Sequence, residues 1–328
     1  MPPRRSLAET DSLPGDTAAE ERARKAASVG ADRWALAALL AGAVGIAFAP
    51  IFVRLSELPP TATAFHRLFL ALPALWLWKA IEDRAARRRG PVRHSAEARP
   101  STDAGVLVAA GLFFAGDLAL WHWSIRFTSV ANATLLANFA PIFVTLAGYL
   151  LFAERFSRQF LLGMALAIAG AGILMGQSLA FDPTHALGDA LGLTTAMFYA
   201  GYILAVSRLR ARLSTATIMA WSGLVTCVAL LTMALLLGET LVPATLRGWG
   251  VLFGVALISH AAGQSLIAFA LARLPAALSS VSLLLQPAVA AILAWAILAE
   301  PLGPWQLSGA LVILGGIYLA RRSSGSVR

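Results

Sequence analysis

The sequence predicts an all-α integral membrane protein, with ten transmembrane helices forming two inverted five-helix repeats around a central cavity. Three observations lead to this fold class. First, 58% of the 328 residues are hydrophobic and only 13% are charged, whereas a soluble domain has about 25% charged residues. Second, apolar stretches long enough to cross a bilayer follow one another along the chain. Third, part of the chain recurs 146 residues later.

A transmembrane helix needs about 20 mostly apolar residues, and ten segments of this chain meet that requirement. The predicted segments are 34–55, 62–81, 105–123, 129–152, 160–179, 188–209, 215–238, 250–271, 276–298 and 305–320. Short links join the third segment to the fourth and the eighth to the ninth. Such links force neighbouring helices to run antiparallel.

The basic residues indicate how the helices are oriented. If both termini are cytoplasmic and ten helices cross the membrane, 22 of the 26 Lys and Arg residues fall on the cytoplasmic side. Membrane proteins accumulate Lys and Arg on that side, so this count supports both the orientation and the number of crossings. The net charge of +9 therefore reflects orientation and does not indicate a nucleic-acid partner.

The polar segments outside the helices are expected to have supporting roles. Residues 1–33 contain acidic and basic side chains without an apolar run, which predicts a disordered cytoplasmic tail rather than a signal peptide. The basic loop 82–103 is interpreted as an orientation determinant, with a lipid-headgroup or regulatory site as the alternative. Residues 321–328 are a second cytoplasmic tail. The single cysteine, Cys227, can form neither an intrachain disulfide nor a thiolate metal site.

An internal repeat divides the chain into residues 34–179 and 188–320. With a shift of 146 residues, APIFVTLAGYLLFAER pairs with QPAVAAILAWAILAEP, and Glu154 matches Glu300. Five helices per copy is an odd number, so the second copy is inverted, and we expect Glu154 on the cytoplasmic side and Glu300 on the external side. Inverted repeats are typical of secondary transporters, whose substrate site lies near the midplane between two related halves.

From about residue 34 to residue 320, these features resemble the EamA family of the drug/metabolite transporter superfamily. The residues that carry the resemblance are FAPIFVRL (48–55), His66-Arg67, GDLALWHWSI (116–125), TSVANATLLANFAPIF (128–143), Glu154 and Glu300. The resemblance implies a carrier in the bacterial inner membrane that moves small organic metabolites by alternating access. By family analogy the direction is export, and amino acids or related amphipathic compounds are the expected cargo. No cofactor or metal is implied, membrane lipids are the other expected partner, and a homodimer stays open.

Charged residues inside the apolar segments are candidates for the substrate site. A carboxylate at mid-helix, such as Asp117, costs roughly 2.5–3.5 kcal/mol on insertion scales unless it faces water or a partner. Asp117 either lines the cavity, where it binds a substrate ammonium group or carries a coupling proton, or forms a structural ion pair with Arg67. Arg67 and the preceding His66 are expected to meet a substrate carboxylate. Snorkelling of Arg67 to the membrane interface is the alternative.

Polar, aromatic and helix-breaking residues complete the predicted cavity. A proline inside a helix frees a backbone carbonyl, which then needs water or a polar partner, and Pro141 and Pro287 occupy such positions. For the polar residues the alternative is hydrogen bonding between helices, and for the aromatic residues it is packing. The further candidates are Trp121, His122, Asn132, Asn138, Tyr202, His260, Gln264, Ser282 and Gln286.

Two other functions stay open from the sequence. The chain has no GxxxxGK[ST], HExxH or GxSxG motif, so neither ATP hydrolysis nor a familiar hydrolase site is indicated, and we expect that the protein is not an enzyme. An intramembrane enzyme would need Asp117, His122 and His260 within hydrogen-bond reach of one another, whereas a carrier needs them only to line a common void. A non-transporting membrane scaffold would need neither arrangement.

Overall fold

The structure is a computed structural model that describes residues 32–88, 100–128, 130–176, 185–299 and 302–323. Within these ranges the chain is helical, apart from short turns and linkers, and contains no strand, which confirms the predicted all-α class. Residues 1–31 of the predicted disordered tail, residues 89–99 of the basic loop and Glu300 lie outside the described residues.

The α-helices are numbered here in chain order. They are α1 (32–47), α2 (Ala49–Leu55), α3 (Pro60–Phe69), α4 (Leu72–Arg88), α5 (Pro100–Phe127), α6 (Val130–Ala137), α7 (Ala140–Phe152), α8 (Arg158–Met175), α9 (Ala186–Leu209), α10 (Thr215–Leu236), α11 (Leu246–Gly254), α12 (Ser265–Ala270), α13 (Ala276–Ser282), α14 (Leu285–Leu298) and α15 (Pro304–Ser323). A π-helical segment, Val255–Gln264, connects α11 directly to α12.

Eight helical stretches in the described part of the chain are long and apolar enough to cross a membrane. They correspond to the first predicted segment and to the third through the ninth. The second predicted segment, 62–81, was expected to be one helix, but it is divided between α3 and α4. The tenth is helical as α15, which is long enough but less apolar than the other eight stretches. Ten crossings therefore stay a prediction.

Prolines explain where the long helices are interrupted. A proline has no N–H to donate to the carbonyl four residues earlier, and its ring clashes with that carbonyl. Each interruption lies two to four residues before a proline. The interruptions are at Phe48 (before Pro50), 70–71 (before Pro73), 138–139 (before Pro141) and 283–284 (before Pro287). The division of the second predicted segment thus follows from Pro73.

Glycines allow α8 and α15 to pack with their backbones in contact. A Cβ atom added to Gly163 would lie 2.5 Å from the backbone nitrogen of Ala320, and one added to Gly170 would lie 2.6 Å from that of Ile313. A side chain therefore does not fit at either position. Because the earlier residue of α8 meets the later residue of α15, the two helices run antiparallel.

The largest buried apolar cluster connects helices from both halves of the chain, from Leu39 in α1 to Ala320 in α15. Cys227 is part of this cluster and is buried in α10. The helix α10 packs against α3, α4 and α5, and α9 packs along α5 and against α6 and α7. The two halves are therefore interleaved rather than separate bodies.

Candidate functional site

A cavity of about 160 Å³ lies among the interrupted helices. Since about 10–15 Å³ of such space holds one water molecule, the cavity has room for several waters or for part of a small solute. Its described wall contains Pro50, Pro141 and Pro287, so three of the four helix interruptions open onto it.

The interruption before Pro141 places polar backbone at the cavity. Because Pro141 has no N–H, the carbonyl of Ala137 loses its usual helical donor. One turn earlier, the side-chain amide of Asn138 donates to the carbonyl of Thr134 at 2.8 Å. All of these residues lie in the wall, which fits the expectation that irregular backbone inside a membrane lines a cavity.

The wall contains two charged residues of opposite sign among those the structure describes, Arg67 from α3 and Asp117 from α5. The two are electrostatically coupled, yet no ion pair of 4.0 Å or less joins them in the described chain. The guanidinium of Arg67 instead lies 5.8 Å from the centre of the Phe114 ring, a cation–π distance. Two opposite charges therefore face one void without pairing directly.

Aromatic and amide side chains stand beside these charges. Tyr199 in α9 faces Gln286, and Tyr202, one turn further along, faces Gln264. The rings of Tyr199 and Tyr202 stack with their centres 6.2 Å apart. This arrangement supplies hydrogen-bonding groups next to a flat apolar surface, which suits an amphipathic solute.

Eight of the predicted site residues line this one cavity. These are Arg67, Asp117, Trp121, Asn138, Pro141, Gln264, Gln286 and Pro287. They come from α3, α5, the α6–α7 interruption, α7, the π segment and α14, so the fold brings together residues far apart in the sequence. Whether they bind a substrate stays a prediction.

Three predicted residues lie outside the cavity wall, and each bonds to a carbonyl of its own helix. The Nδ1 atom of His66 donates to the carbonyl of Ala62 at 2.9 Å, and Nδ1 of His122 donates to the carbonyl of Leu118. The hydroxyl of Ser282 likewise donates to a carbonyl one turn earlier, at 2.9 Å. All three side chains are buried, and their part in substrate binding stays a prediction.

Two further predicted residues lie one layer behind the wall. The rings of Tyr202 and His260 pack against Phe114, with centre-to-centre distances of 4.7 Å and 5.5 Å. Phe114 itself lines the cavity, so both residues contact the described wall without being part of it. Asn132 lies in α6, and its side chain is outside the part of the chain that the structure describes.

The sequence reasoning did not select several residues of the wall, among them Pro50, Phe114, Thr195, Tyr199 and Ser280. A signal for Pro50 was present, since the pentapeptide FAPIF occurs at 48–52 and again at 139–143. Thr195 and Tyr199 are four residues apart on α9 and therefore share a helix face. Within the described ranges, no three His, Cys, Asp or Glu side chains come together as a metal site.

The helical fold and its charged, proline-lined cavity define a multi-pass membrane protein that can hold a small polar solute between its helices. The model of the EamA-like transporter family matches residues 33–176 and 186–322. The chain therefore belongs to the EamA-like transporter family, which confirms the resemblance seen in the sequence.

Comparison with known proteins adds three similarities. The chain is 28% identical over 154 residues to the pseudopaline exporter CntI of Pseudomonas aeruginosa, covering 47% of this chain and only 53% of that relative. It is 28% identical over 296 residues to a "probable amino-acid metabolite efflux pump" of Salmonella typhimurium, covering 87% of this chain and 93% of that protein. A solved crystal structure with 19% identity superimposes with a TM-score of 0.70 over 88% of this chain and 99% of the other, which shows the fold.

Proposed function

We propose that this protein is a secondary transporter that exports small organic metabolites, with amino acids or related amphipathic compounds as its cargo. Membership of a transporter family supports transport. The names of two relatives, an exporter and an efflux pump, support the direction and the class of cargo. The observation that carries the proposal is the presence of Arg67 and Asp117 in one cavity wall without a direct ion pair.

A zwitterionic solute would satisfy both charges together. Its ammonium group would bind Asp117, and its carboxylate would bind the guanidinium of Arg67 through two parallel hydrogen bonds. The wall also contains apolar side chains, including Ile46, Leu118 and Leu283, which suit the hydrocarbon part of an amphipathic cargo. The proposed solute class therefore has two opposite charges and an apolar portion.

We also propose the ten-helix, inverted-repeat architecture. Under the shift of 146 residues, Gly163 matches Gly309 and Gly170 matches Gly316. An added Cβ atom on Gly163 would lie 2.7 Å from the carbonyl oxygen of Gly316, and one on Gly170 would lie 2.9 Å from that of Gly309. Gly163 therefore contacts the residue that matches Gly170, and Gly170 contacts the residue that matches Gly163. This reciprocal contact between antiparallel helices supports a twofold relation, as expected for inverted repeats.

Matching helix ends also support the repeat. Ala153 after α7 and Ala299 after α14 have φ angles of 54° and 53°, and they are the non-glycine residues with positive φ in the described chain. The two residues are 146 positions apart. In a fold built from inverted repeats, movement of one group of helices against another would open the cavity to each side in turn.

We place the protein in the bacterial inner membrane with both termini in the cytoplasm. The positive-inside rule supports this orientation, because 22 of the 26 Lys and Arg residues then lie on the cytoplasmic side. A catalytic role receives no comparable support. His122 and His260 lie outside the wall that contains Asp117, and one ring nitrogen of His122 is engaged by its own helix.

The proposal is tested by flux measurements on purified protein in liposomes, over a panel of amino acids and common metabolites, with and without a pH gradient. We expect wild-type protein to move at least one amphipathic amino acid unaltered. Asp117→Asn removes the ammonium partner and should slow that flux about tenfold or more. Asp83→Asn is the matched control, because Asp83 pairs with Lys79 at 2.6 Å and does not line the cavity.

Two results would contradict the proposal. One is folded wild-type protein that moves no solute of the panel. The other is an Asp117→Asn variant whose flux equals that of wild type. Flux by Asp117→Asn that keeps its full dependence on the pH gradient would specifically exclude the role of Asp117 as a proton carrier.

A further inference from the structure

Two linkers at one end of the helices exchange capping interactions. The first linker, 56–59, connects α2 to α3, and the second, 237–245, connects α10 to α11. The carboxylate of Glu57 in the first linker accepts from the N–H of Ala244 at 3.0 Å and of Thr245 at 3.2 Å, and also from the hydroxyl of Thr245. Glu57 therefore holds the N-terminal end of α11, where N–H groups have no helical partner.

The second linker also supplies a carboxylate that caps a helix, in this case α3. The carboxylate of Glu239 accepts from the N–H of Ala62, in the first turn of α3, at 2.6 Å. Gly238 ends α10 with a φ of 64°, a conformation that glycine adopts without strain. This turn sends the chain back toward α3. Each linker thus supplies a carboxylate to the helix that follows the other linker, where the helix dipole favours negative charge.

A small apolar cluster lies beneath these carboxylates. Leu58 of the first linker and Ala62 of α3 are buried against Leu252 of α11. The ring of Trp249 packs on this cluster and also meets the ring of His66 edge to face at 5.8 Å. His66 thus lies against α11, whereas the next residue, Arg67, lines the cavity.

Residues 32–88 and residues 215–270 also contact each other away from the two linkers. The helices α3 and α4 pack on α10. On α1, a Cβ atom added to Gly42 would lie 2.8 Å from the carbonyl oxygen of Gly263, and one added to Gly45 would lie 3.0 Å from the Cα of Gly263. The backbone of α1 therefore touches the π segment directly, and few rearrangements are open to such a close contact.

We propose that Glu57 and Glu239 form a reciprocal clamp that joins residues 32–88 to residues 215–270 as one rigid unit. This unit combines helices from both sequence repeats. Other helices supply most of the described wall, and this unit supplies Ile46, Ala47, Ala49, Pro50, Arg67 and Gln264. The boundary between moving parts then runs through the cavity and not along the boundary between the repeats. The structural part of this inference is independent of the proposed cargo, and its consequence for transport rests on the proposed function.

Amide hydrogen exchange of the full-length protein in lipid nanodiscs tests whether the two caps act as a unit. We expect Glu57→Ala to speed exchange about tenfold or more in peptides covering both linkers, 56–62 and 239–249, and Glu239→Ala to do the same. In the double variant, exchange should be only slightly faster than in the more strongly affected single variant, because one broken cap already opens the clamp. Asp83→Ala, outside the clamp, should leave both linkers unchanged.

The clamp is overturned if each single variant affects only the amides that its own carboxylate caps and the two effects add in the double variant. If a single variant does not fold, Glu57→Gln and Glu239→Gln keep an acceptor oxygen and allow the same comparison with a smaller expected change.

A cross-linking experiment distinguishes linkers that stay in contact throughout transport from linkers that separate during transport. In a Cys227→Ala background, Glu57→Cys and Thr245→Cys are joined by a short bifunctional thiol reagent, and solute flux is measured before linking, after linking and after reduction. We expect linked protein to transport at least as fast as unlinked protein. Flux that falls about tenfold on linking and returns on reduction would mean that the linkers separate during transport, and the rigid unit would be disproved. Wild-type protein without flux would refute the proposed function instead, while the exchange experiment would still decide on the clamp.

Discussion

Arg67 and Asp117 occupy neighbouring helices, and both face the cavity without forming an ion pair in the described chain. An uncompensated buried charge is strongly unfavourable, so each needs water or a ligand as a partner. The Phe114 ring, 5.8 Å from the guanidinium, offsets part of this cost for Arg67. A site in which two opposite charges are held apart is suited to a solute that carries both.

The two charges should act on different ends of the cargo. Arg67→Gln should weaken transport of a carboxylate-bearing solute by about tenfold or more, because a charged hydrogen bond contributes about 1.5–3 kcal/mol. The loss should be smaller for the amide of the same solute, which lacks the carboxylate. Asp117→Asn should show the reverse preference, losing less with the N-acetyl derivative. Initial flux rates measure these ratios, and equal losses for all derivatives would argue against direct recognition.

Glu57 is expected to make the stability of the protein depend on pH. A hydrogen bond from the Thr245 side chain lowers the pKa of this exposed carboxyl group below its usual value of 4.5. A group with a lowered pKa in the folded state contributes stability above its unfolded pKa and loses that contribution as the pH falls through the folded value. The difference in melting temperature between wild type and Glu57→Gln should therefore be constant at neutral pH and shrink below about pH 4.5. A difference that persists at low pH would contradict this role.

Sequence reasoning found the charged and proline residues of the cavity but could not select helix faces. Asp117 and Trp121 were correctly grouped on one face of α5, and both line the cavity. The adjacent His122 points elsewhere and bonds to its own helix. A membrane helix is apolar on all sides, so the sequence gives little indication of which side meets a cavity and which meets lipid. Thr195 on α9 was missed for the same reason.

At the scale of elements, prolines and glycines determine the shape of the helices. The interruptions before Pro50, Pro141 and Pro287 all lie at the cavity, whereas Gly163 and Gly170 lie between α8 and α15. The first group frees backbone groups that a solute or water can reach. The second group allows close helix packing, which stabilises association inside a membrane.

Paired glycine substitutions test the packing of α8. Gly163→Ala would place a methyl group 2.5 Å from the backbone of α15, and we expect it to lower the free energy of unfolding by about 1–3 kcal/mol. Gly172→Ala is the control in the same helix, because no atom lies within 4 Å of its added Cβ. Thermal unfolding in one detergent measures both variants. Equal melting temperatures would contradict the close α8–α15 contact.

The helices themselves were largely predictable, since length and apolar character alone identify most of them. The exception is the segment 62–81, where the run of apolar residues concealed the effect of Pro73. The π segment could not be foreseen, because its sequence, VALISHAAGQ, has no feature that distinguishes it from an α-helix. In the tertiary structure Gly263 of this segment contacts the backbone of α1, a contact that the local sequence does not reveal.

At the scale of the whole molecule, the inverted repeat makes a prediction about topology. In a Cys227→Ala background, a cysteine placed at Glu154 should be on the cytoplasmic side and one placed at Gly303 on the external side. A membrane-impermeant maleimide should therefore label Gly303→Cys in intact cells and label Glu154→Cys only after permeabilisation. Labelling of both positions from the same side would exclude five crossings between them and with them the inverted arrangement.

The central claim is that one cavity recognises both charges of a zwitterionic solute and carries it across the membrane. The most direct test is competition in proteoliposomes, with a transported amino acid against its N-acetyl derivative and its amide. We predict that the parent amino acid competes fully and that each masked derivative, having lost one charge, competes at least about tenfold more weakly. Competition by either derivative at the strength of the parent would contradict the claim.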